Sequence, residues 1–316
     1  MKLNHILLVS QNIEKEQALF DWTLALAKVQ QAKVTVLRVL PEVEPGLAAW
    51  LSQRQPSELA QAQREQALSE MRPWQQAAQG FGVALVARVE FGKLFYKAIQ
   101  AVIQQGMDLV VKQIDTPEQG VSRILFGTQD LHLLRKCPCP VLLHKSDAGL
   151  PFKRVMASVD VDIEAENLVP NRLNQLILDM ASLVVQHEQA DLTVVHAWQA
   201  EAENLMRYWN SDLSEADVQR FSEQMRQQHL RALEYDIAAY RETLAQMQVL
   251  LPKGRATQVI APLVEQQQID LLVMGTLGRS GLPGLVIGNT AETILEQIQC
   301  SVLVVKPEGF VSPITV

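Results

Sequence analysis

MGTLGRSGLPGLVIGNT, residues Met274 to Thr290, decides how the rest of this chain is read. It follows the apolar run Leu271-Leu272-Val273-Met274 and precedes a helix-like segment, Ala291 to Gln299, so the local order is strand, glycine loop, helix. Glycines stand at 275, 278, 281, 284 and 288. Glycine lets a loop take positive φ and lets a ligand approach the main chain, while a helix start offers unpaired N–H groups and the positive end of a dipole. The pattern points to an anion, and a phosphate fits it best. Asn289 or Thr290 is expected to cap the helix, with Glu292 reaching back to the cap N–H in a capping-box variant. A glycine loop by itself also punctuates many ordinary strand-to-helix connections, so the surrounding chain has to decide between the two.

Strand and helix signals alternate through the whole chain. His5 to Ser10 reads as a buried strand, Lys15 to Lys28 as an amphipathic helix, and Lys33 to Val39 as a second strand. A stretch from Pro41 to Pro56 leads into a polar helix that Pro73 should end or kink. Val83 to Val89, Asp108 to Lys112 and Val141 to His144 complete a set of five strands, with helices at Leu94 to Gln105 and Gln129 to Lys136. This alternation implies a parallel sheet with both faces covered, because parallel strands need crossover connections.

The pattern then restarts. Arg154 to Asp160 mirrors His5 to Gln11, and Asp191 to Ala197 mirrors Lys33 to Val39. Gly254 lies sixteen residues before Asp270 as Gly92 does before Asp108, and Gly288 lies twelve before Cys300 as Gly127 does before Cys139. Matched landmarks in one order mark a duplication. We therefore expect two α/β domains, 1–147 and 148–316, divided where Ser, Asp, Gly and Pro cluster. The 316-residue length suits two domains of roughly 150. The second half carries an insertion, 198–247, in which Val218, Phe221, Met225, Leu233, Ile237, Tyr240 and Leu244 recur at helical spacing. That stripe reads as core packing first, and as a surface for a partner or an apolar ligand second.

Composition narrows the function. A 48% apolar content, 20% charged residues and a mean hydropathy near +0.02 describe a globular chain. No apolar run suggests a membrane span or a secretion signal, and a cytoplasmic location is expected. The formal charge of −7 argues against nucleic acid as a partner. Cys137, Cys139 and Cys300 form neither a disulfide framework nor a zinc motif and read as buried small hydrophobes. No P-loop, no nucleophile elbow and no His/Asp/Glu cluster at metal spacing is evident, so the chain reads as a non-enzyme. Slow ATP hydrolysis, or phosphorylation of Ser280 or Thr290, needs no such signature and stays open.

Gly275-x-x-Gly278, nine residues, then Gly288-Asn289-Thr290 is similar to the nucleotide-binding pattern G-x2-G-x9-G-(S/T) of the universal stress protein family. Val159-Asp160 at a strand end and the Cys-(Pro/Ser)-Val-Leu endings of both halves add to the resemblance, which covers nearly the whole chain. It implies two Rossmann-like five-stranded parallel sheets in the order 3-2-1-4-5. Their fifth strands would pair antiparallel, Val141 to Leu143 against Val302 to Val304, as an intramolecular pseudo-dimer. Further homodimerisation, and any protein partner, stay open.

The resemblance also implies ATP, alone or with Mg²⁺, in the second domain only. Asp160 would meet the adenine and ribose, beside Ala197 and Met274. Gly275 and Gly278 would admit the main chain to the ribose and phosphates, and Gly288, Asn289 and Thr290 would hold the phosphates. Two positions depart from the family pattern: Asn289 stands where Ser or Thr is usual, and Ala197 where Val is usual. In the first half Gln11 replaces the Asp160 equivalent, Gln113 and Thr116 replace the first two glycines, and Asp115, Glu118 and Asp130 bring negative charge to the loop and helix start. Such charge repels phosphate, so this half is expected not to bind ATP.

Overall fold

A computed structural model describes residues 2–42, 56–114, 126–147, 149–163, 171–200, 203, 214–242, 244, 246–276 and 288–315. The chain divides into two compact units, one built mainly of residues 2–151 with 301–316, the other of 152–281 with 287–300.

In the first unit the strands are β1 (His5–Ser10), β2 (Lys33–Leu40), β3 (Leu85–Phe91), β4 (Leu109–Ile114) and β5 (Val141–Lys145). They pair in parallel in the order 3-2-1-4-5. Every residue of β1 and β4 is buried, the polar His5, Ser10, Lys112 and Gln113 along with their apolar runs, as in strands covered on both faces. The crossovers are α1 (Gln17–Gln30), α2 (Pro56–Glu70), α3 (Arg72–Phe81), α4 (Leu94–Gln105) and α5 (Thr128–Lys136). Pro73 does what its ring demands: the helix breaks at Met71 and restarts with proline in its first turn. Phe20 of α1 stacks on Trp74 of α3 with ring centroids 4.2 Å apart, and the Trp74 Nε1–H donates to Gln17 Oε1 at 2.8 Å. The last strand of the chain, β10 (Ser301–Val305), runs antiparallel to β5 with Val302 opposite Leu143 and Val304 opposite Val141, as expected.

The second unit repeats the order for its own first four strands: β6 (Arg154–Ser158), β7 (Asp191–Val195), β8 (Gln248–Leu250) and β9 (Leu271–Gly275) lie as β8-β7-β6-β9, all parallel. Its helices are α6 (Arg172–Glu188), α7 (Glu215–Ile237), α8 (Ala256–Gln266) and α9 (Asn289–Gln297). Helix α7 is the core of the insertion. Ser214 and Asp217 cap it reciprocally, and Val218, Leu233 and Ile237 of the expected stripe are buried.

The landmarks that revealed the duplication have physical jobs. Gly92 and Gly254 adopt φ of 129° and 144°, which side chains beyond glycine rarely take. Asp108 Oδ2 accepts the Asn4 and His5 N–H groups at 2.7 and 2.9 Å, and Asp270 Oδ2 accepts those of Lys153 and Arg154, both at 2.8 Å. Each carboxylate thereby ties the end of one helix connection to the start of the strand beside it. Cys137, Cys139 and Cys300 are buried, and the neighbouring Cys137 thiol together with burial pushes the Cys139 thiol well above its usual range, which keeps it unreactive.

Candidate functional site

Strands β6 and β9 are neighbours, with Ser158 opposite Met274, and the chain leaves them toward different partners. A crevice opens at such a reversal point, beyond the carboxyl ends of the strands. Here it is a cavity of about 890 Å³ lined by Asp160, Ala197, Met274, Gly275, Gly288, Asn289 and Thr290 among others. The structure thus brings together every expected site residue that it describes, and Gly278 lies outside the described residues.

At one end of the cavity stands the amino terminus of α9. Its cap is Gly288, not Asn289 or Thr290, and Gly288 N–H donates to Thr276 O at 2.7 Å. This corrects the expected capping box: with glycine as cap, Ala291 takes the third helical position, one residue short of Glu292, and no side chain caps the helix. The amino terminus of α9, the positive end of its dipole, lines the cavity, and its Gly288 cap brings no side chain to it.

Across from it, the half-exposed Asp160 carboxylate follows β6. Its peptide is gripped by Asn174 of α6, whose Oδ1 accepts Asp160 N–H at 3.1 Å and whose Nδ2 donates to Asp160 O at 2.8 Å. Buried His196 faces Val159 O through Nδ1 at 3.3 Å and His229 Nδ1 through Nε2 at 2.9 Å. A carbonyl only accepts, so Nδ1 of His196 carries the proton, and in the neutral ring Nε2 then accepts from His229 Nδ1. His196 is thus a hydrogen-bonded structural residue, as its position at a strand end suggested, and it also lines the cavity.

Gly275 has a use that the motif alone did not reveal. A Cβ there would stand 2.8 Å from Leu173 Cδ2 and 3.2 Å from Leu173 Cγ, so glycine lets β9 end against α6. Gly275→Val is expected to cost about 1–3 kcal/mol by overpacking, read as a lower thermal midpoint by circular dichroism, with Gly275→Ala milder. An unshifted midpoint for the valine variant would refute the packing role.

The equivalent helix start in the first unit is capped differently. Gly127 caps α5, and its N–H donates to Asp130 Oδ2 at 3.2 Å. Asp130 Oδ1 lies 2.9 Å from Lys112 Nζ, off the line of an ideal hydrogen bond, and Lys112 Nζ donates to Gln113 O at 2.9 Å. Glu16 Oε1 accepts the Gln11 and Asn12 N–H groups at 3.0 and 3.3 Å, and burial raises its pKa. A carboxylate of the chain thus sits on the cap N–H of this helix start.

Sequence reasoning missed Asn174, Trp198 and His229. The insertion stripe did flag Phe221 and Met225 of α7, and both line the cavity. Among the described residues no helix is long and apolar enough to cross a membrane, and no group of three His, Cys, Asp or Glu could hold a metal ion.

Two parallel α/β units in this strand order, each with a glycine-capped helix start at its reversal point, match the universal stress protein family model over residues 2–145 and again over 153–306, and the chain belongs to that family. It is similar to universal stress protein E of Escherichia coli K12, at 32% identity over 70% of this chain and 67% of that one. A universal stress protein E homolog of Haemophilus influenzae is 25% identical over 97% and 98% of the two chains. Among solved structures, a functionally unknown protein of Pseudomonas aeruginosa PAO1 shares the fold at a TM-score of 0.67 and 22% identity, covering 98% of this chain and 94% of that one.

Proposed function

We propose that the second domain, 148–316, binds an adenine nucleotide as a regulatory ligand of a cytoplasmic stress response, while the first, 1–147, keeps a degenerate, self-filled site. The observation that carries this is the contrast between two equivalent helix starts. In α5 the Asp130 carboxylate sits on the cap N–H, whereas in α9 the cap N–H goes to the main-chain Thr276 O and, among the described residues, no carboxylate caps the helix. An uncapped helix start suits phosphate, and a cavity of about 890 Å³ lies within the usual range of roughly 300–1,000 Å³ for small-molecule sites. In this reading Asp160 takes the ribose or adenine, Ala197 and Met274 flank the base, Gly275 and Gly278 shape the loop, and Gly288, Asn289 and Thr290 meet the phosphates. The ligand binds without turnover.

Calorimetric titration of ATP, with and without Mg²⁺, tests the proposal. We expect a stoichiometry near one per chain, lost in Asp160→Ala. No heat of binding in a folded protein free of trapped nucleotide would overturn it, and so would two sites per chain.

A second reading is favoured by one feature. Phe221 and Met225 give the cavity an apolar wall that a nucleotide alone does not call for. An amphiphilic or apolar ligand would use it. Stabilisation of the protein by such a ligand, with no stabilisation by excess ATP, selects this reading over the first.

A further inference from the structure

Helix α7 is amphipathic, and apolar contacts from Leu233 and Ile237 would suffice to dock it. Yet two polar side chains lie on its buried face, two turns apart: His229, 7% exposed, and Asp236, 8% exposed. Burying polar groups costs free energy unless they find partners. Both find them on residues that in turn bond the polypeptide segment presenting Asp160. His229 bonds His196, which in turn bonds Val159 O. Asp236 Oδ2 accepts from Asn174 Nδ2 at 2.6 Å, and its Oδ1 accepts Asn171 N–H at 3.4 Å.

The Asn174 amide has two donors and one acceptor oxygen. One N–H goes to Asp160 O and the other to Asp236, so the carboxylate, which only accepts, holds the amide with its oxygen toward Asp160 N–H. We infer that α7 is the positioning element of Asp160, acting through Asp236 and Asn174 on one side and through His229 and His196 on the other. In the first unit the matching segment is held locally instead, by Glu16 on Gln11 and Asn12. The arrangement ties the apolar wall contributed by α7 to the carboxylate opposite the helix start, so a ligand seated against that wall acts on Asp160. Asp236 is a positioning residue. Its importance for ligand binding rests on the nucleotide reading above, but its hold on the Asp160 peptide does not.

The test compares Asp236→Ala, Asp236→Asn, Asn174→Ala and the double variant Asn174→Ala/Asp236→Ala in two measurements on the full chain. The first is amide hydrogen exchange at Asp160, which needs no ligand. Asp236→Ala should speed it about fivefold, the worth of about one hydrogen bond, while Asp236→Asn, which still accepts from Asn174, stays near the parent rate. The second is the ATP dissociation constant, expected to rise about fivefold in Asp236→Ala, to recover in Asp236→Asn, and to be no worse in the double variant than in Asn174→Ala. A folded Asp236→Ala protein with unchanged exchange at Asp160 overturns the inference. If the parent protein binds no ATP, the nucleotide reading falls and the exchange measurement alone decides the positioning role. Should Asp236→Ala lose its fold, Asp236→Leu, which branches at Cγ as the carboxylate does but accepts no hydrogen bond, carries the same comparison.

Discussion

Lys112→Met is expected to destabilise the first unit by about 3–5 kcal/mol, the cost of leaving one member of a buried ion pair uncompensated. The Lys112 and Asp130 side chains are 4% and 11% exposed, and their charged atoms approach to 2.9 Å. Methionine matches the lysine stem but leaves the Asp130 carboxylate buried, with the Gly127 N–H as partner and, among the described residues, no paired cation. Lys112→Met/Asp130→Asn should recover most of the loss, because an asparagine oxygen still accepts from Gly127 N–H without carrying a charge. Urea denaturation of the three proteins measures this through the midpoint, provided the slope is unchanged. A Lys112→Met protein within about 1 kcal/mol of the parent would mean that the pair does not hold the self-filled site together.

Acidification should remove roughly 3 kcal/mol of stability through His144 alone as pH falls from 6.5 to about 4. Burial depresses the His144 pKa from 6.5 to about 4, and the neighbouring Asp147 offsets this only in part. His144 Nδ1 lies 3.2 Å from Ser301 Oγ, within hydrogen-bond distance, and Ser301 Oγ accepts Lys145 N–H at 3.1 Å. Between the two pKa values the unfolded chain holds the proton and the folded one does not. Stability from this group is therefore fully present above pH 6.5 and lost as pH falls through about 4. His144→Gln, which cannot take up the proton, should flatten the fall in unfolding free energy between pH 6.5 and 4. An identical slope in both proteins would show that His144 does not titrate as described.

Both predictions concern residues that looked ordinary in the sequence. Lys112 and His144 each read as the end of a strand. Each becomes consequential because the sheet buries it beside a specific partner distant in the chain: Asp130 in one case, Ser301 in the other. The same holds at the candidate site. Asp160 and the glycines are legible because a strand end, a glycine spacing and a helix start are local signals, repeated at matching intervals in the two halves. The expected cap at Asn289 or Thr290 fails by one or two residues, since Gly288, whose own side chain caps nothing, is where the backbone enters the helix.

What the sequence alone determined is the periodic part, the alternation of strand and helix and the duplication, while the strand order and the antiparallel meeting of Val141 to Leu143 with Val302 to Val304 followed from the resemblance to the family. Backbone hydrogen bonding and apolar burial repeat with fixed periods, so they leave marks in residue order. Only the tertiary structure decided which polar groups face each other. Asn174 meets Asp236 across 62 positions, and His196 meets His229 across 33. Hydrogen bonds between side chains depend on where distant backbones converge, and no spacing along the chain records that convergence.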